Sequence, residues 1–166
     1  MRFLIGLLLI LSVLSCKQDN KVSGDAAPKE SKSDSPEQDT TINELVDWKS
    51  FETSENKKPS EVSLMEANGL KSRIKAMLKD NYAEFQNDWN EETPIMIQDK
   101  ILFTTGCQKG DCKANKYILI LDLMDNNINI VNFKYGRVRS WEERAVIGLP
   151  DRLLQQFELI RKDQGL

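Results

Sequence analysis

Two cysteines, Cys107 and Cys112, stand between two strongly apolar segments, and this arrangement constrains the fold more than any other feature of the chain. The segments cover residues 95–105 and 117–124, have no internal proline and are short enough to be strands. A bond between the two cysteines would close a six-residue ring at the tip of a hairpin. The chain-entropy account gives such a ring about 2 kcal/mol of stability. The sequence therefore predicts a short, stiff loop between two strands.

Hydrophilic and small residues fill this loop, which makes it the first candidate for contact with a partner. The candidate partner-binding residues are Gly106, Gln108, Lys109, Gly110 and Asp111. A loop whose shape is fixed in advance loses little entropy when it enters a cleft. Lys109 is predicted at the apex, where a cation could pair with carboxylates such as those across a glycosidase cleft. The alternative is a disulfide that only closes a hairpin, with Lys109 as a solvated turn residue.

The first fifteen residues predict export from the cytoplasm. Arg2 is positive, residues 3–14 are apolar but too short to span a bilayer comfortably, and Ser15 precedes Cys16. The ending Val-Leu-Ser-Cys resembles the lipobox of bacterial lipoproteins, whose cysteine becomes the lipidated first residue of the mature chain. This resemblance implies a lipoprotein signal peptide over residues 1–15 and a membrane anchor at Cys16. The alternative is an ordinary secretory signal that leaves Cys16 over.

The number of cysteines supports the lipid interpretation. Three cysteines is an odd number for an exported protein and needs an explanation. If Cys16 carries lipid, Cys107 and Cys112 remain as a pair in an oxidising compartment. We therefore expect a protein of the cell envelope.

The absence of histidine excludes much chemistry. No Ser-His or Cys-His nucleophile and no imidazole metal site can form. For the chain as a whole we expect no metal, no cofactor and no enzymatic activity. The formal charge is −3, and the loss of Arg2 with the signal peptide makes it −4. An acidic chain binds nucleic acid poorly but attracts basic partners.

Other function classes stay open. Carboxylate-only catalysis is one of them, and the candidates are the adjacent pairs Glu91-Glu92 and Glu142-Glu143. Neighbours on a helix do not face each other, so we interpret these pairs as solvated helix ends. A sugar-stacking or anion-binding patch could form from Trp141 with Arg137, Arg139 and Arg144. A passive structural lipoprotein, or a module that recognises cell-wall material, is a further class.

The chain divides into a tether and one domain. Residues 16–41 are almost entirely hydrophilic, which predicts a disordered tether that spans on the order of 25–30 Å. Residues 42–166 are predicted to form a single domain. Residues 42–51 could form one or two helical turns, and apolar residues three or four apart give residues 61–89 the clearest helical period.

The second half of the domain predicts a sheet followed by helices. The strands are expected within residues 95–105, 117–124 and 128–135, with a turn or bulge near Asp99, a β-bulge near Val131 and the end of the sheet at Gly136. A capping box of Ser140 and Glu143 predicts a short helix over residues 141–147, and Pro150-Asp151 starts a last helix. We therefore predict an α+β fold, in which an N-terminal amphipathic helix packs on a small antiparallel sheet with C-terminal helices.

The run of strand, C-x4-C loop, strand, turn and strand over residues 101–135 resembles the Ivy family of periplasmic inhibitors of vertebrate-type lysozyme. The loop of that family reads Cys-Lys-Pro-His-Asp-Cys, is closed by a disulfide and plugs the lysozyme cleft. Three residues of this chain match it: Cys107, Asp111 and Cys112. Three others stand where the family has Lys, Pro and its main inhibitory His: Gln108, Lys109 and Gly110.

The resemblance implies an inhibitor of a lysozyme-type cell-wall hydrolase in the envelope of a Gram-negative bacterium. Lys109 and Asp111 would make polar contacts inside the cleft, and Gly110 would let the backbone approach closely. The alternative is an envelope lipoprotein that binds another exported protein or a glycan without inhibiting it.

Overall fold

A computed structural model describes residues 48–67 and 69–166, and it shows an antiparallel sheet with helices, which confirms the predicted α+β class. The predicted signal peptide, Cys16, the tether and residues 42–47 lie outside the described residues. The sheet has six strands in the order β1-β3-β4-β5-β6, and β2 also pairs with β3. The strands are β1 (Glu91–Glu92), β2 (Met96–Gln98), β3 (Ile101–Cys107), β4 (Asn115–Asp122), β5 (Asn127–Lys134) and β6 (Arg137–Glu142).

Short helices precede the sheet and one longer helix follows it. The α-helices are α1 (Leu70–Leu78), α2 (Tyr82–Asp88) and α3 (Asp151–Asp163). The 3-10 helices are Trp48–Thr53, Pro59–Val62, Leu64–Glu66 and Lys79–Asn81. The helical period of residues 61–89 is therefore divided among several elements, and Lys79, with a φ of 50°, separates α1 from α2. No helix in the part of the chain that the structure describes is long and apolar enough to cross a membrane.

Apolar side chains cover both faces of the sheet. On one face, Leu119 and Ile130 join the buried residues of α1 and α2 in a core cluster. On the other face, Ile118 and Phe133 pack with residues of α3. β4 lies in the middle of the sheet and is buried on both faces, as its continuous Ile and Leu content predicts.

The predicted bulge near Val131 is wrong. All eight residues of β5 pair in unbroken register with β4. Ile128 and Ile130 point into one core, whereas Val131 and Phe133 point into the other. The apolar pattern of β5 looks irregular because both faces of the sheet are covered. Even-numbered and odd-numbered residues of the strand are therefore both buried, on opposite faces.

The sheet does not end at Gly136, and the predicted helix over residues 141–147 is wrong. Tyr135 and Gly136 form a two-residue turn with φ values of 48° and 71°, which leads directly into β6. Left-handed backbone at both central residues is the geometry that joins two antiparallel strands tightly. Trp141 then pairs with Ile130 on β5, within a strand.

The sheet is followed by one helix in the described chain, α3, and not by several. It begins at Asp151, directly after Pro150, as predicted. Leu153 and Ile160 are buried against the sheet, but Leu154 is 46% exposed and does not share their face. Of the two alternatives near Asp99, the structure contains the turn: β2 and β3 form a hairpin, and Asp99 is one of its two turn residues.

Candidate functional site

The loop between β3 and β4 contains the disulfide that the spacing of the cysteines predicts. The sulfurs of Cys107 and Cys112 are bonded, and the two Cα atoms lie 5.1 Å apart. The side chains of Gln108 and Lys109 are exposed, as is Gly110, whereas Asp111 is half-buried. Gly110 has a φ of +84°, which a residue with a Cβ adopts only at a cost. The exposed tip is therefore a covalently closed turn.

Asn90, which follows α2, holds the ring from one side. The amide N–H of Lys109 donates to Asn90 Oδ1 at 2.8 Å, and the amide N–H of Asn90 donates to the Cys107 carbonyl at 3.2 Å. The side-chain amide of Asn90 in turn donates to the Asn87 carbonyl at 2.7 Å. The backbone at Lys109 is thus tied to the end of a helix that packs on the sheet.

The other side of the ring is held by α3 and by a turn. Gln164, at the end of α3, is buried and donates from Nε2 to the Cys112 carbonyl at 3.2 Å. Inside the ring, the Asp111 N–H donates to the Gln108 carbonyl at 2.9 Å. From β4, the Asn115 N–H donates to the Asp111 carbonyl at 3.0 Å. Both ends of the ring are therefore fixed by hydrogen bonds as well as by the disulfide.

A buried polar chain lies under the base of the loop. Asn115 Nδ2 donates to Asp88 Oδ2 at 2.5 Å, and Asn132 Nδ2 donates to Asn115 Oδ1 at 2.8 Å. All three side chains are buried, so the carboxylate and the amides depend on one another for hydrogen bonds. The network connects α2, β4 and β5 through Asn115, the first residue of β4.

Trp89 packs flat against the strand just before the ring. A Cβ on Gly106 would lie 2.2 Å from Trp89 Cδ2, which no structure tolerates. The indole N–H of Trp89 donates to Glu92 Oε1 at 2.8 Å, and its ring lies 5.1 Å from that of Phe85. Gly106, which the sequence placed in the partner-binding loop, is buried under this indole and serves to position the loop.

The ring region contains the one group of potential metal ligands found in the described chain. It consists of Glu91, Cys107 and Cys112. Cys112 Sγ lies 3.6 Å from Glu91 Oε2, but both sulfurs are bonded to each other and offer no thiolate. The geometry therefore describes a carboxylate beside a disulfide.

The glutamate pairs are not solvated helix ends, because they lie at strands β1 and β6. Glu92 accepts from the amide of Ser60 at 3.0 Å as well as from Trp89. Glu143 pairs with Arg73 at 2.5 Å, and Arg73 lies 4.8 Å from the centre of the Trp48 ring. One carboxylate of each pair thus joins distant parts of the chain.

Of the proposed patch, Arg137 and Arg139 lie at alternate positions on the same strand, β6, as Trp141, whereas Arg144 lies apart. Trp141 is half-buried and packs on the core of the α1 face. Arg144 donates to the backbone carbonyls of Asp125 and Asn126. Its guanidinium therefore holds the turn between β4 and β5, which is at the opposite end of the sheet from the disulfide loop.

Two pKa shifts occur at the base of the loop. Burial raises the pKa of the Tyr117 phenol well above its ordinary value, the carboxylates of Glu84 and Asp88 raise it further, and Arg139 lowers it. A hydrogen bond to Glu84 raises the pKa of the Lys134 ammonium, and burial opposes this rise. In both cases the folded protein holds the proton more tightly than the unfolded chain does.

These shifts predict that stability falls in alkaline solution. Above about pH 10 the unfolded chain loses the Tyr117 proton while the folded protein keeps it, so the free energy of unfolding decreases as pH rises. The full stabilisation is present below this value. We expect Tyr117→Phe to make the decline above pH 10 shallower by up to about 1.4 kcal/mol per pH unit, measured by urea unfolding at several pH values. An unchanged slope would contradict the assignment.

Most of the described chain matches the model of one known protein family. The family model for the inhibitor of vertebrate lysozyme (Ivy) matches residues 69–163, which is more than half of the chain. The chain belongs to the Ivy family. No curated protein and no solved structure gives a significant match. The matched region includes α1, the whole sheet, the disulfide loop and α3.

Ivy proteins are inhibitors that bind lysozyme, which supports a lysozyme-type hydrolase as the partner and an envelope location in general. The residues that hold the loop were not identified from the sequence: Asp88, Trp89, Asn90, Asn115 and Gln164. Their roles depend on contacts between elements that are distant in sequence. The Ivy resemblance and the cysteine spacing therefore predicted the loop but not the residues that hold it. One sequence feature indicated the close packing of Trp89 on Gly106: a glycine inside a predicted strand often marks a close approach by another group.

Proposed function

We propose that this protein is a lipid-anchored inhibitor of a lysozyme-type cell-wall hydrolase and that the ring from Cys107 to Cys112 is its inhibitory element. The observation that carries the proposal is an exposed, covalently closed loop, held by Asn90 and Gln164, in a chain of the Ivy family. The lipid anchor would be Cys16, followed by a tether over residues 17–41. The chain would act as a binding protein and not as an enzyme.

The chemistry of the loop fits an acidic cleft. Lys109 is exposed at the tip and its backbone is fixed by Asn90, so its ammonium can enter a cleft with little further loss of backbone entropy. Glycosidases place two carboxylates across the scissile bond, and one cation between them would occupy the catalytic position. Beyond its two chain neighbours, no described residue comes within 4 Å of where a Cβ on Gly110 would stand, so a cleft wall could approach its backbone closely.

A second function is favoured by one observation, the absence of histidine from the whole chain. Gly110 occupies the position of the histidine on which inhibition in the Ivy family chiefly depends. The same scaffold could therefore bind another exported protein or a glycan without inhibiting a hydrolase. The two functions differ in whether binding stops catalysis.

The experiment uses the full-length protein purified in detergent and a panel of vertebrate and bacterial lysozymes. Inhibition is measured as the slowing of peptidoglycan hydrolysis, and binding is measured separately by calorimetry. The proposal expects at least one lysozyme to be both bound and inhibited at equimolar concentration. Binding without inhibition would favour the second function, and release of fragments from peptidoglycan by the protein alone would show an enzyme.

Lys109→Glu tests the inhibitory contact. Reversing the charge opposite cleft carboxylates should weaken inhibition about 30-fold or more, because a buried charge pair becomes a repulsion. Lys75→Glu, on the exposed side of α1, is the matched control and should leave inhibition within about twofold. Equal inhibition by the wild type and by Lys109→Glu would show that the tip does not face carboxylates.

A further inference from the structure

A second turn lies at the same end of the sheet as the disulfide loop. Cys107 pairs with Lys116 at the end of β3, and at the next strand boundary Asn115 pairs with Lys134. Lys134 is followed by the Tyr135-Gly136 turn, so this turn lies beside the segment that connects the ring to β4. The Tyr135 N–H donates to the Ala114 carbonyl at 2.8 Å, which joins the turn to the segment directly after Cys112.

Tyr135 is an unusual residue for this turn. Its side chain is 70% exposed and its φ is 48°, although such turns favour Asn or Gly at this position. A non-glycine residue in left-handed backbone is strained, and such strain gathers at functional positions. The fold gains no core packing from an aromatic ring that stands in solvent. The Lys134 ammonium lies 5.9 Å from the centre of the Tyr135 ring, and the exposed remainder of the phenol is accessible to a partner.

Basic side chains surround this tyrosine. Tyr135 lines a surface depression of about 370 Å³ together with three of them: Lys134, Arg137 and Arg139. Lys134 pairs with Glu84, and Arg139 donates to Asn81 Oδ1 at 3.4 Å, so both are directed by neighbours. Arg137 is exposed at the start of β6. Tyr and Arg, with Trp, are enriched among the residues that contribute most of the affinity at protein interfaces.

We propose that Tyr135 and Arg137 form a second binding element, which contacts the acidic rim of the same hydrolase cleft that receives the disulfide loop. The inference rests on the proposed function, because it assigns a partner to the surface beside that loop. Two observations favour one occupant for both elements. The turn and the loop are tied by the bond from Tyr135 to Ala114, and both present cations, Lys109 and Arg137, at the same end of the sheet.

The test separates binding from folding by the choice of substitution. Tyr135→Asn removes the phenol but suits left-handed backbone, so the thermal midpoint should stay equal or rise. Its affinity for a lysozyme that the wild type binds should fall at least about tenfold, measured by calorimetry. Arg137→Glu should lower the affinity by a similar factor and make it less sensitive to salt. Met124→Ala is the control, because Met124 is 75% exposed in the turn at the opposite end of the sheet.

The outcomes distinguish this inference from the function on which it rests. If the wild type binds a lysozyme and both variants bind it equally well, the second element is excluded while the inhibitory loop stands. If the wild type binds no lysozyme, both proposals are overturned. Sedimentation of each variant is measured as well. A change in self-association without a change in lysozyme affinity would assign this surface to a second copy of the chain and overturn the inference.

Discussion

Replacing both ring cysteines, Cys107→Ser with Cys112→Ser, should weaken inhibition by about a hundredfold or more while the sheet remains folded. Without the covalent bond, the four residues between the cysteines gain conformational freedom that they must lose again on entering a cleft. Fixing the backbone costs about 1–2 kcal/mol per residue, so even partial release of four residues accounts for this factor. The hydrogen bonds from Asn90 and Gln164 remain and limit the loss.

The expected effect on folding is smaller. A six-residue ring contributes about 2 kcal/mol to stability, and both cores of the sheet lie outside it. Far-UV and near-UV circular dichroism should therefore match the wild type, while inhibition is lost. Reduction of the wild-type protein should weaken inhibition in the same way, and reoxidation should restore it. A double-serine variant that inhibits as well as the wild type would show that the hydrogen bonds alone hold the loop.

The disulfide loop and the central strand were predictable because their causes are local in the sequence. The cysteine spacing and the flanking apolar runs placed the ring at a hairpin tip, and the structure contains the bond. β4 is nearly continuous Ile and Leu, and a strand of that composition must be covered on both faces. α3 begins where Pro150 and Asp151 indicate. In each case neighbouring residues carry enough information.

The errors have a common physical reason, since they occur where a partner distant in sequence decides the conformation. Ser140 and Glu143 have the spacing of a capping box, but Glu143 pairs with Arg73 on α1, and Ser140 pairs with Val131 inside the sheet. Sheet pairing thus overrides a local helix signal. The bulge was predicted for a strand with only one face in the core. The other face of β5 is also buried, because α3, which is distant in sequence, packs on it.

The residues that hold the candidate loop also depend on partners that are distant in sequence. Asn90 holds the loop through the backbone of Lys109, 19 residues away, and Gln164 reaches Cys112 across 52 residues. No local sequence pattern shows which group a single asparagine or glutamine side chain will hydrogen-bond. The sequence therefore indicated the loop that forms the candidate site, and the structure added the residues that hold it.

Gly106→Ala should be the most damaging single substitution in this region, with a loss of about 3 kcal/mol of unfolding free energy. The added methyl would stand 2.2 Å from Trp89 Cδ2 and 2.6 Å from two further indole carbons. The indole cannot move aside freely, because Glu92 accepts its N–H and Phe85 packs beside it. Either Trp89 leaves its site or β3 shifts at the base of the ring, and inhibition should fall with stability.

A double-mutant cycle identifies the clash as the cause. Trp89→Leu removes the ring that the methyl would strike, so Gly106→Ala should cost less than about 1 kcal/mol in that background, measured by urea unfolding. Gly110→Ala is the matched control, since Gly110 has open space around it and only its φ of +84° opposes a side chain. Its expected cost is about 1 kcal/mol in either background. If Gly106→Ala were equally costly with tryptophan and with leucine at position 89, the close packing of Trp89 on Gly106 could not be what positions the loop.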